Sequence, residues 1–385
     1  MIFQRPNYLY TFFAILLIAV GQFLACGQSA PPNNTESDIS SADSVHFTNQ
    51  VHAQYAKGFC ISYHKNYKLL EILKPFQDQV DTLRYSLVPQ EIIDKVDVEN
   101  TEEIPIPVTS LIATSTTHIG LTEMLNANDV ITGMVGAEYV YNEKIQQRLK
   151  EDAITSFPMG EFNKEQALAM DPDLLMISGG QSNQFDNYQV LMDSGIGVMV
   201  NSEWLEKTPL GKAEWIKVMA ALLNKEALAN RKFNAVAQEY NQLKTAAENV
   251  DDKPLVINNM PYKGAWFVSG GNSFTANFLR DAGADYPWFD SEDTGGLRKD
   301  FEVVYEVGLK ADIWVNPGLL KQGRILWPKI AGSKILRRLK PVKSIITINE
   351  PKIPEATIFG SRGSSFGSIS GRPDQDFSST ARPGA

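Results

Sequence analysis

The sequence predicts an α/β protein built from two similar lobes. Residues 165–173 and 302–312 share one pattern, a short helix that opens with a glutamate and ends at an aspartate-marked turn. Each is followed by an apolar stretch of strand length that stops at glycine, at residues 174–180 and 313–318. A chain of 385 residues also exceeds what one hydrophobic core usually serves. Two facing lobes form a clamp, so binding is the first function that the pattern indicates.

The composition is that of a soluble globular protein. Hydrophobic residues make up 43% of the chain and charged residues 21%, which is enough apolar material for sizeable cores. The formal net charge of −9 argues against a general nucleic-acid binder, because a negative surface repels phosphate.

The N-terminus reads as an export signal followed by a lipid attachment site. Arg5 precedes an apolar run at residues 8–20, which is short for a membrane span. Residues 23–27 resemble a bacterial lipobox, with Phe23 where leucine is usual, so we expect Cys26 to be acylated. The polar stretch that follows is expected to be a flexible tether. The alternative is an uncleaved membrane anchor.

Strands are expected next, before the first lobe. Residues 58–63, 67–72 and 81–88 predict an N-terminal β meander, with Cys60 in its core.

The first lobe begins with a strand at residues 108–114. Hydroxyl groups at residues 115–117 can cap the helix predicted at residues 119–125. Further strands are predicted at residues 129–135 and 194–200. Alternating strands and helices are typical of a parallel sheet.

A long helical region is predicted between the lobes. Residues 212–249 contain no proline and no glycine, and a helix of about 25 residues would be about 37 Å long. Its second part places apolar side chains on one face, at Leu228, Phe233, Val236, Tyr240 and Leu243. We expect a stiff rod rather than a floppy linker.

The second lobe repeats the strand and helix pattern. Strands are predicted at residues 254–259 and 266–269, followed by a turn at residues 270–273. The helix predicted at residues 274–282 ends on Gly283, as a helix C-terminus often does.

These segments together resemble one protein family. Residues 108–128, 160–180, 266–286 and 301–318 are similar to the periplasmic substrate-binding proteins of ABC importers for vitamin B12, haem and iron–siderophore complexes. The resemblance covers about residues 105–318, and it implies two Rossmann-like lobes joined by one rigid helix, with the ligand in the cleft between them.

The resemblance also gives the repeated glutamates a role. In this family a glutamate at the tip of each lobe docks with arginines of the importer's membrane subunits, and Glu165 and Glu302 occupy the matching positions. Two carboxylates on a rigid body would orient the docking complex. The alternative is that each glutamate only stabilises the start of its helix.

The cleft is expected to be lined by loops at the carboxyl ends of the strands. Aromatic faces suit a macrocycle, and Arg298 can pair with an anionic chelate or a propionate. Each aromatic residue taken singly also fits a packing role. The candidates are Thr117, His118, Tyr139, Tyr141, Gly180, Trp204, Tyr262, Trp266, Trp288 and Arg298.

No catalytic centre is expected. The Gly-x-Ser-x-Gly stretch at residues 363–367 lacks a preceding strand, and the four histidines are dispersed. The leading interpretation is a lipid-anchored, envelope-located solute-binding protein without a cofactor. Its partners would be a metal chelate and the permease and ATPase subunits of an importer, and we expect a monomer that binds no nucleic acid. The alternatives are an exported chelate-processing enzyme or a binder of bare metal ions on the same fold.

The C-terminal segment departs from the pattern. Residues 319–385 carry 12 Lys and Arg against 4 Asp and Glu and show no clear alternation of strands and helices. One interpretation is a basic arm. We favour a frameshift near Leu319. Codons permitted for residues 349–363, read in a shifted frame, can encode a sequence similar to the last pocket loop of the family. Such a shift would remove the last strand of lobe two and leave the edge of its sheet exposed.

The predicted organisation is a signal peptide at 1–25, a tether at 26–45, N-terminal strands at 46–105, lobe one at 106–208, a bridging helical region at 209–250, an incomplete lobe two at 251–318 and an irregular tail at 319–385.

Overall fold

The computed structural model describes residues 45–316, apart from 79–80, 161, 181 and 263–264, together with the backbone of three short strands beyond them. The expectations for the signal peptide, Cys26, the tether and the frameshift lie outside the described residues.

The helices and strands alternate through most of this range. The strands are β1 (Phe59–Tyr63), β2 (Lys68–Ile72), β3 (Leu83–Pro89), β4 (Glu102–Ile106), β5 (Leu111–Ala113), β6 (Ile131–Val135), β7 (Thr155–Phe157), β8 (Leu174–Ser178), β9 (Gly197–Asn201), β10 (Val256–Asn258), β11 (Pro261–Tyr262), β12 (Ala265–Ser269), β13 (Gly296–Asp300), β14 (Ile313–Val315), β15 (Leu320–Lys321), β16 (Arg324–Ile325) and β17 (Ser344–Ile346). The α-helices are α1 (Thr116–Met124), α2 (Glu143–Lys150), α3 (Lys164–Met170), α4 (Gln189–Met192), α5 (Pro209–Ala213), α6 (Ile216–Leu223), α7 (Glu226–Glu248), α8 (Phe274–Asp281) and α9 (Phe301–Gly308). None of the helices in the described residues is both long enough and apolar enough to cross a membrane.

The N-terminal strands form a sheet in the order β1-β2-β3-β4. The three predicted strands pair antiparallel, which confirms the meander, and β4 adds a fourth strand in parallel that the sequence analysis missed. Cys60 is buried in β1, as expected. The sheet shares one hydrophobic core with the first lobe, and the Tyr85 hydroxyl accepts a hydrogen bond from the backbone N–H of Val200 at 3.1 Å.

Lobe one is a five-stranded parallel sheet in the order β7-β6-β5-β8-β9. Both faces of the sheet are covered by hydrophobic clusters, and strands β5 and β9 are buried throughout, as parallel strands usually are, whereas β7 at the edge exposes Ser156. Ser115 caps α1 as predicted, since its side chain accepts a hydrogen bond from the N–H of Thr117 at 3.2 Å.

The repeated aspartate performs the same task in both lobes. In lobe one Asp173 Oδ2 accepts hydrogen bonds from the N–H groups of Thr109 at 2.6 Å and Ser110 at 3.0 Å, immediately before β5. In lobe two Asp312 Oδ2 accepts one from the N–H of Leu255 at 3.0 Å, immediately before β10. Each carboxylate therefore ties the start of its own strand to the parallel neighbour, β8 to β5 and β14 to β10.

The bridging region ends in the long helix α7, whose 23 residues span about 35 Å. Its first half packs Phe233 and Ala237 into the core of lobe one. Its second half contacts helix α8 of lobe two, where Asp281 accepts a hydrogen bond from the Tyr240 hydroxyl at 2.9 Å and forms an ion pair with Lys244 at 2.8 Å. One helix thus packs against both lobes.

Lobe two has a smaller parallel sheet, β10-β14-β17, beside an antiparallel sheet, β11-β12-β13. Gly283 follows α8 with φ +73°, and a Cβ there would lie 2.8 Å from the carbonyl oxygen of Ala247, so glycine is required on both counts. The two Rossmann-like lobes and the rigid joining helix agree with the predicted fold class.

The edge of β14 is paired, contrary to the expected exposed edge. β17 runs parallel to β14, with Ser344 opposite Ile313, so backbone beyond residue 319 supplies a strand that the sequence analysis did not predict. The sequence Ile-Ile-Thr-Ile at residues 345–348 consists of β-branched residues, which favour a strand.

Candidate functional site

Strands β5 and β8 lie side by side at the point where the order of lobe one reverses. The chain leaves β5 toward β6 on one side, whereas β8 is followed by β9 on the other. Open α/β sheets bind ligands in the crevice at the carboxyl ends of such strands. Thr117 follows β5 and Gly180 follows β8, so the structure brings these two predicted residues to the edges of this crevice.

A buried carboxylate lies beside the same edge. Glu203 follows β9, is 5% exposed, and its Oε2 atom has no hydrogen-bond partner among the described residues. Burial raises the pKa of Glu203, while attraction to Lys212 and a hydrogen bond from Thr117 oppose the rise. Burial lowers the pKa of Lys212, and Glu203 opposes that shift. The Lys212 ammonium lies 5.2 Å from the ring centroid of Phe274 in lobe two, so the group spans the junction of the lobes.

Sequence reasoning missed Glu203 and Lys212. Glu203 directly precedes the predicted residue Trp204. Both lie just past the end of β9, so the expectation that loops at the carboxyl ends of strands line the cleft applies to Glu203 as well. Lys212 carried no local signal, because its contact with Glu203 depends on the packing of α5. Trp204 is half-buried and donates from Nε1 to the carbonyl oxygen of Gly179 at 2.7 Å.

Two predicted tyrosines are displayed on lobe one after β6. Tyr139 is 44% exposed and Tyr141 is 75% exposed. Gly136 opens this loop with φ +74°, a left-handed conformation that lets the chain turn out of the sheet. The exposed phenol rings are available for contact with an apolar solute.

Strand alternation separates the predicted residues of lobe two. Tyr262 pairs with Ala265 and Arg298 pairs with Phe267, so their side chains share one face of the antiparallel sheet, on which Tyr262 is 42% exposed. Trp266 points to the opposite face. It is fully buried and donates from Nε1 to the carbonyl oxygen of Asn258 at 3.0 Å, so it packs the lobe instead of facing a solute.

Two more predicted residues are buried. Trp288 is 8% exposed and packs edge-on against Tyr286. His118 is fully buried, and neither ring nitrogen has a hydrogen-bond partner among the described residues. Helix α1 turns this side chain into the lobe, away from the edge where the sequence analysis placed it, whereas Thr117 remains half-buried.

The buried imidazole predicts acid sensitivity. Burial lowers the pKa of His118 to about 3, so the folded protein does not take up the proton that the unfolded chain binds below pH ~6.5. Stability is therefore lost as the pH falls from 6.5 toward 3, by about 1.6 kcal/mol between pH 6.5 and pH 5. We expect His118→Leu to remove this part of the pH dependence, measured by urea unfolding at both pH values. The exposed-residue variant His46→Leu is the control, and an unchanged slope in His118→Leu would contradict the account.

The repeated glutamates lie at equivalent places. Glu165 is exposed in the first turn of α3, and Glu302 is exposed in the first turn of α9. Each helix leads into one of the two tying aspartates, Asp173 and Asp312. The position also suits an acidic side chain for helix stability alone, so the docking role stays a prediction.

Other features are less informative. No three His, Cys, Asp or Glu side chains of the described part of the chain come close enough together to hold a metal ion. A shallow depression of about 460 Å³ lies on the outer face of α7. Its lining contains no predicted site residue and consists of Gln238, Asn241, Gln242 and Thr245.

Comparison with known proteins assigns a family to most of this body. A family model described as a periplasmic binding protein matches residues 111–314, which is more than half of the chain. A curated relative described as an uncharacterized lipoprotein of Methanocaldococcus jannaschii is 29% identical over 232 residues, 57% of this chain and 54% of the relative. The chain spans about half the length of the curated relatives it matches.

Two periplasmic binding proteins are among the solved structures whose fold is similar to that of this chain. The periplasmic haem-binding protein HutB of Vibrio cholerae is 19% identical, with a TM-score of 0.48 over 62% of this chain and 89% of that chain. A possible iron-binding periplasmic solute-binding protein of Staphylococcus epidermidis is 15% identical, with a TM-score of 0.47 over 63% of this chain and 90% of that chain.

Proposed function

This chain belongs to the periplasmic binding protein family, and we propose that it captures a metal chelate outside the cell and delivers it to the permease of an ABC importer. The chelate would be an iron–siderophore complex, haem or cobalamin. The observation that carries the proposal is the pair of lobes, each tied by an equivalent aspartate, that pack against one long helix.

The long helix α7 is expected to make the joint between the two lobes stiff. Lobe one is anchored to the first half of α7 by Phe233 and Ala237, and lobe two to the second half through Tyr240 and Lys244. A continuous helix resists bending more than a loop does, so the proposed cleft would change width little when a solute binds. Such a site suits a rigid, bulky ligand like a macrocycle.

The chemistry of the exposed candidates favours a solute with a broad face and some anionic character. Tyr139, Tyr141 and Tyr262 offer aromatic surface, and Arg298 offers a cation on the same sheet face as Tyr262. Aromatic rings and one guanidinium fit a chelate whose metal is already fully ligated.

Titration of the purified protein with cobalamin, haemin and a ferric catecholate tests the proposal. We expect saturable binding of one of them at one molecule per chain, followed by the chelate's visible spectrum and by tyrosine and tryptophan fluorescence, with the chelate recovered unchanged. Recovery of an altered chelate would favour the enzyme alternative. Binding of bare iron or zinc with no chelate bound would favour the bare-ion alternative.

Arg298 provides a prediction about ligand charge. If the bound chelate is anionic, we expect Arg298→Gln to weaken its binding about 10-fold, the loss of ~1.4 kcal/mol that one charge-assisted contact can supply. Lys253→Gln, an exposed cation before β10, is the matched control. Equal affinities of the two variants for the same anionic chelate would contradict a ligand role for Arg298.

We also propose that a lipid on Cys26 holds the protein at the cell envelope. The lipobox-like sequence supports this proposal, and so does the lipoprotein description of the curated relative. Mass spectrometry of the membrane-extracted protein is expected to find acylated Cys26 at the mature N-terminus. A Cys26–Cys60 disulfide in that sample would contradict the anchor.

A further inference from the structure

The loop between β2 and β3, here called the edge loop (residues 73–78), lies across the carboxyl edge of lobe one. Three of its groups hold it there. The carbonyl oxygen of Pro75 accepts a hydrogen bond from the Ser202 hydroxyl at 2.5 Å, and the N–H of Gln77 donates to the carbonyl oxygen of Gly180 at 3.2 Å. The Asp78 carboxylate accepts from the N–H and the hydroxyl of Ser182 at 2.9 and 3.0 Å.

These contacts fall at the ends of β8 and β9. Gly179 and Gly180 follow β8, and Ser202 follows β9, so the edge loop lies against the rim that borders the crevice between β5 and β8. The approach is close: a Cβ on Gly179 would lie 2.0 Å from the Pro75 carbonyl oxygen. The edge loop is therefore built into this rim.

A buried aromatic residue fixes the loop to the lobe. Phe76 is 3% exposed and packs in the hydrophobic cluster on one face of the lobe-one sheet, with its ring centroid 5.6 Å from that of Phe185. The Ser182 hydrogen bonds also lower the pKa of Asp78, as expected for a carboxylate held by donors. Pro75, directly before this anchor, is buried, whereas the two residues before Pro75 are exposed, Leu73 at 38% and Lys74.

We propose that the edge loop is a third wall of the solute site, supplied by the N-terminal sheet, in which Leu73 contacts the apolar rim of the chelate and Lys74 pairs with its negative charge. This inference rests on the proposed function. It makes the ligand class an anionic chelate, because the walls then offer a lysine from the edge loop and Arg298 from lobe two. The N-terminal sheet thereby has a role in specificity beyond its packing role.

The test is a titration of the full chain carrying Leu73→Ser and Lys74→Gln. Haemin and the ferric catecholate are the anionic probes and cobalamin is the probe without net negative charge. For the anionic probe that wild type binds, we expect the affinity of the variant to be about 30-fold lower. This factor corresponds to the loss of two contacts that contribute ~1 kcal/mol each. The control carries Lys65→Gln, at the opposite end of β2, and Leu243→Ser on α7, both exposed, and is expected to bind like wild type.

Hydrogen exchange gives a second readout that does not depend on the substitutions. The bound anionic probe is expected to slow exchange of the amides at residues 73–78 in wild type. Unchanged affinity in the edge-loop variant together with unprotected amides would overturn the third wall and leave the proposed function standing. Binding of cobalamin alone would overturn the anionic ligand class. Failure of wild type to bind any probe would overturn the proposed function, and this inference with it.

Discussion

Reversing Glu165 and Glu302 to lysine together is expected to weaken binding to the cognate permease about 100-fold or more, while the affinity for the chelate stays unchanged. Each exposed carboxylate is proposed to meet an arginine, and a lysine there adds repulsion to the lost attraction. Each single reversal should cost about 10-fold, close to ~1.4 kcal/mol, and the effect should shrink as salt rises. Binding to the permease–ATPase complex in nanodiscs measures all three variants.

Glu143→Lys is the matched control for docking. Glu143 is an exposed acidic residue in the first turn of α2, so its reversal causes the same loss of helix stabilisation at a position outside the repeat. If this control weakens permease binding as much as Glu165→Lys does, the repeated glutamates only stabilise their helices, and the docking proposal is wrong.

Removing the buried carboxylate of Glu214 is expected to destabilise the protein by about 3–5 kcal/mol, the usual cost of breaking a buried charged network. Glu214 is 0% exposed and accepts hydrogen bonds from the N–H groups of Gln54, Tyr55 and Ala56 at 2.7 to 3.0 Å. It also pairs with Lys217 Nζ at 2.6 Å. Glu214→Ala removes the acceptor of three backbone N–H groups and the only carboxylate partner of Lys217 among the described residues, leaving that buried ammonium bonded to the carbonyl oxygen of His52 at 2.8 Å.

The free energy of urea unfolding measures this effect. Glu239→Ala, an exposed position on α7, should change it by less than about 0.5 kcal/mol. The N-terminal segment should also become susceptible to protease in Glu214→Ala, because three of its backbone groups lose their acceptor. If Glu214→Ala and Glu239→Ala have equal free energies of unfolding, the buried carboxylate does not stabilise the protein.

The paired aspartate turns and the buried parallel strands were predictable from local sequence. β8 and β14 are apolar runs that follow an aspartate, and that pattern carries its own structural meaning. The long helix was predicted with a length close to that of α7. The break between α6 and α7 was not predicted. It occurs at Asn224, which adopts a left-handed conformation with φ +53° inside a stretch that lacks glycine and proline.

The candidate site was harder to predict than the fold. Aromatic content alone could not separate the exposed Tyr262 from the buried Trp266. The pairing of Tyr262 in β11 with Ala265 in β12 separates them, because Ala265 and Trp266 are consecutive and point to opposite faces. The attachment of the N-terminal sheet had no local signal. It depends on Glu214 and Glu206, which bind backbone groups about 150 to 160 residues earlier in the chain.

Transfer of a bound solute across a membrane tests the central claim most directly. The measurement is ATP-driven uptake into proteoliposomes that hold the cognate permease and ATPase, with the radiolabelled chelate that saturates the purified protein. Uptake is expected to require the wild-type chain, to deliver the chelate intact and to fall to background with the Glu165→Lys, Glu302→Lys double variant. Uptake that proceeds equally without the chain, or that the double variant supports as well as wild type, would contradict a delivery role.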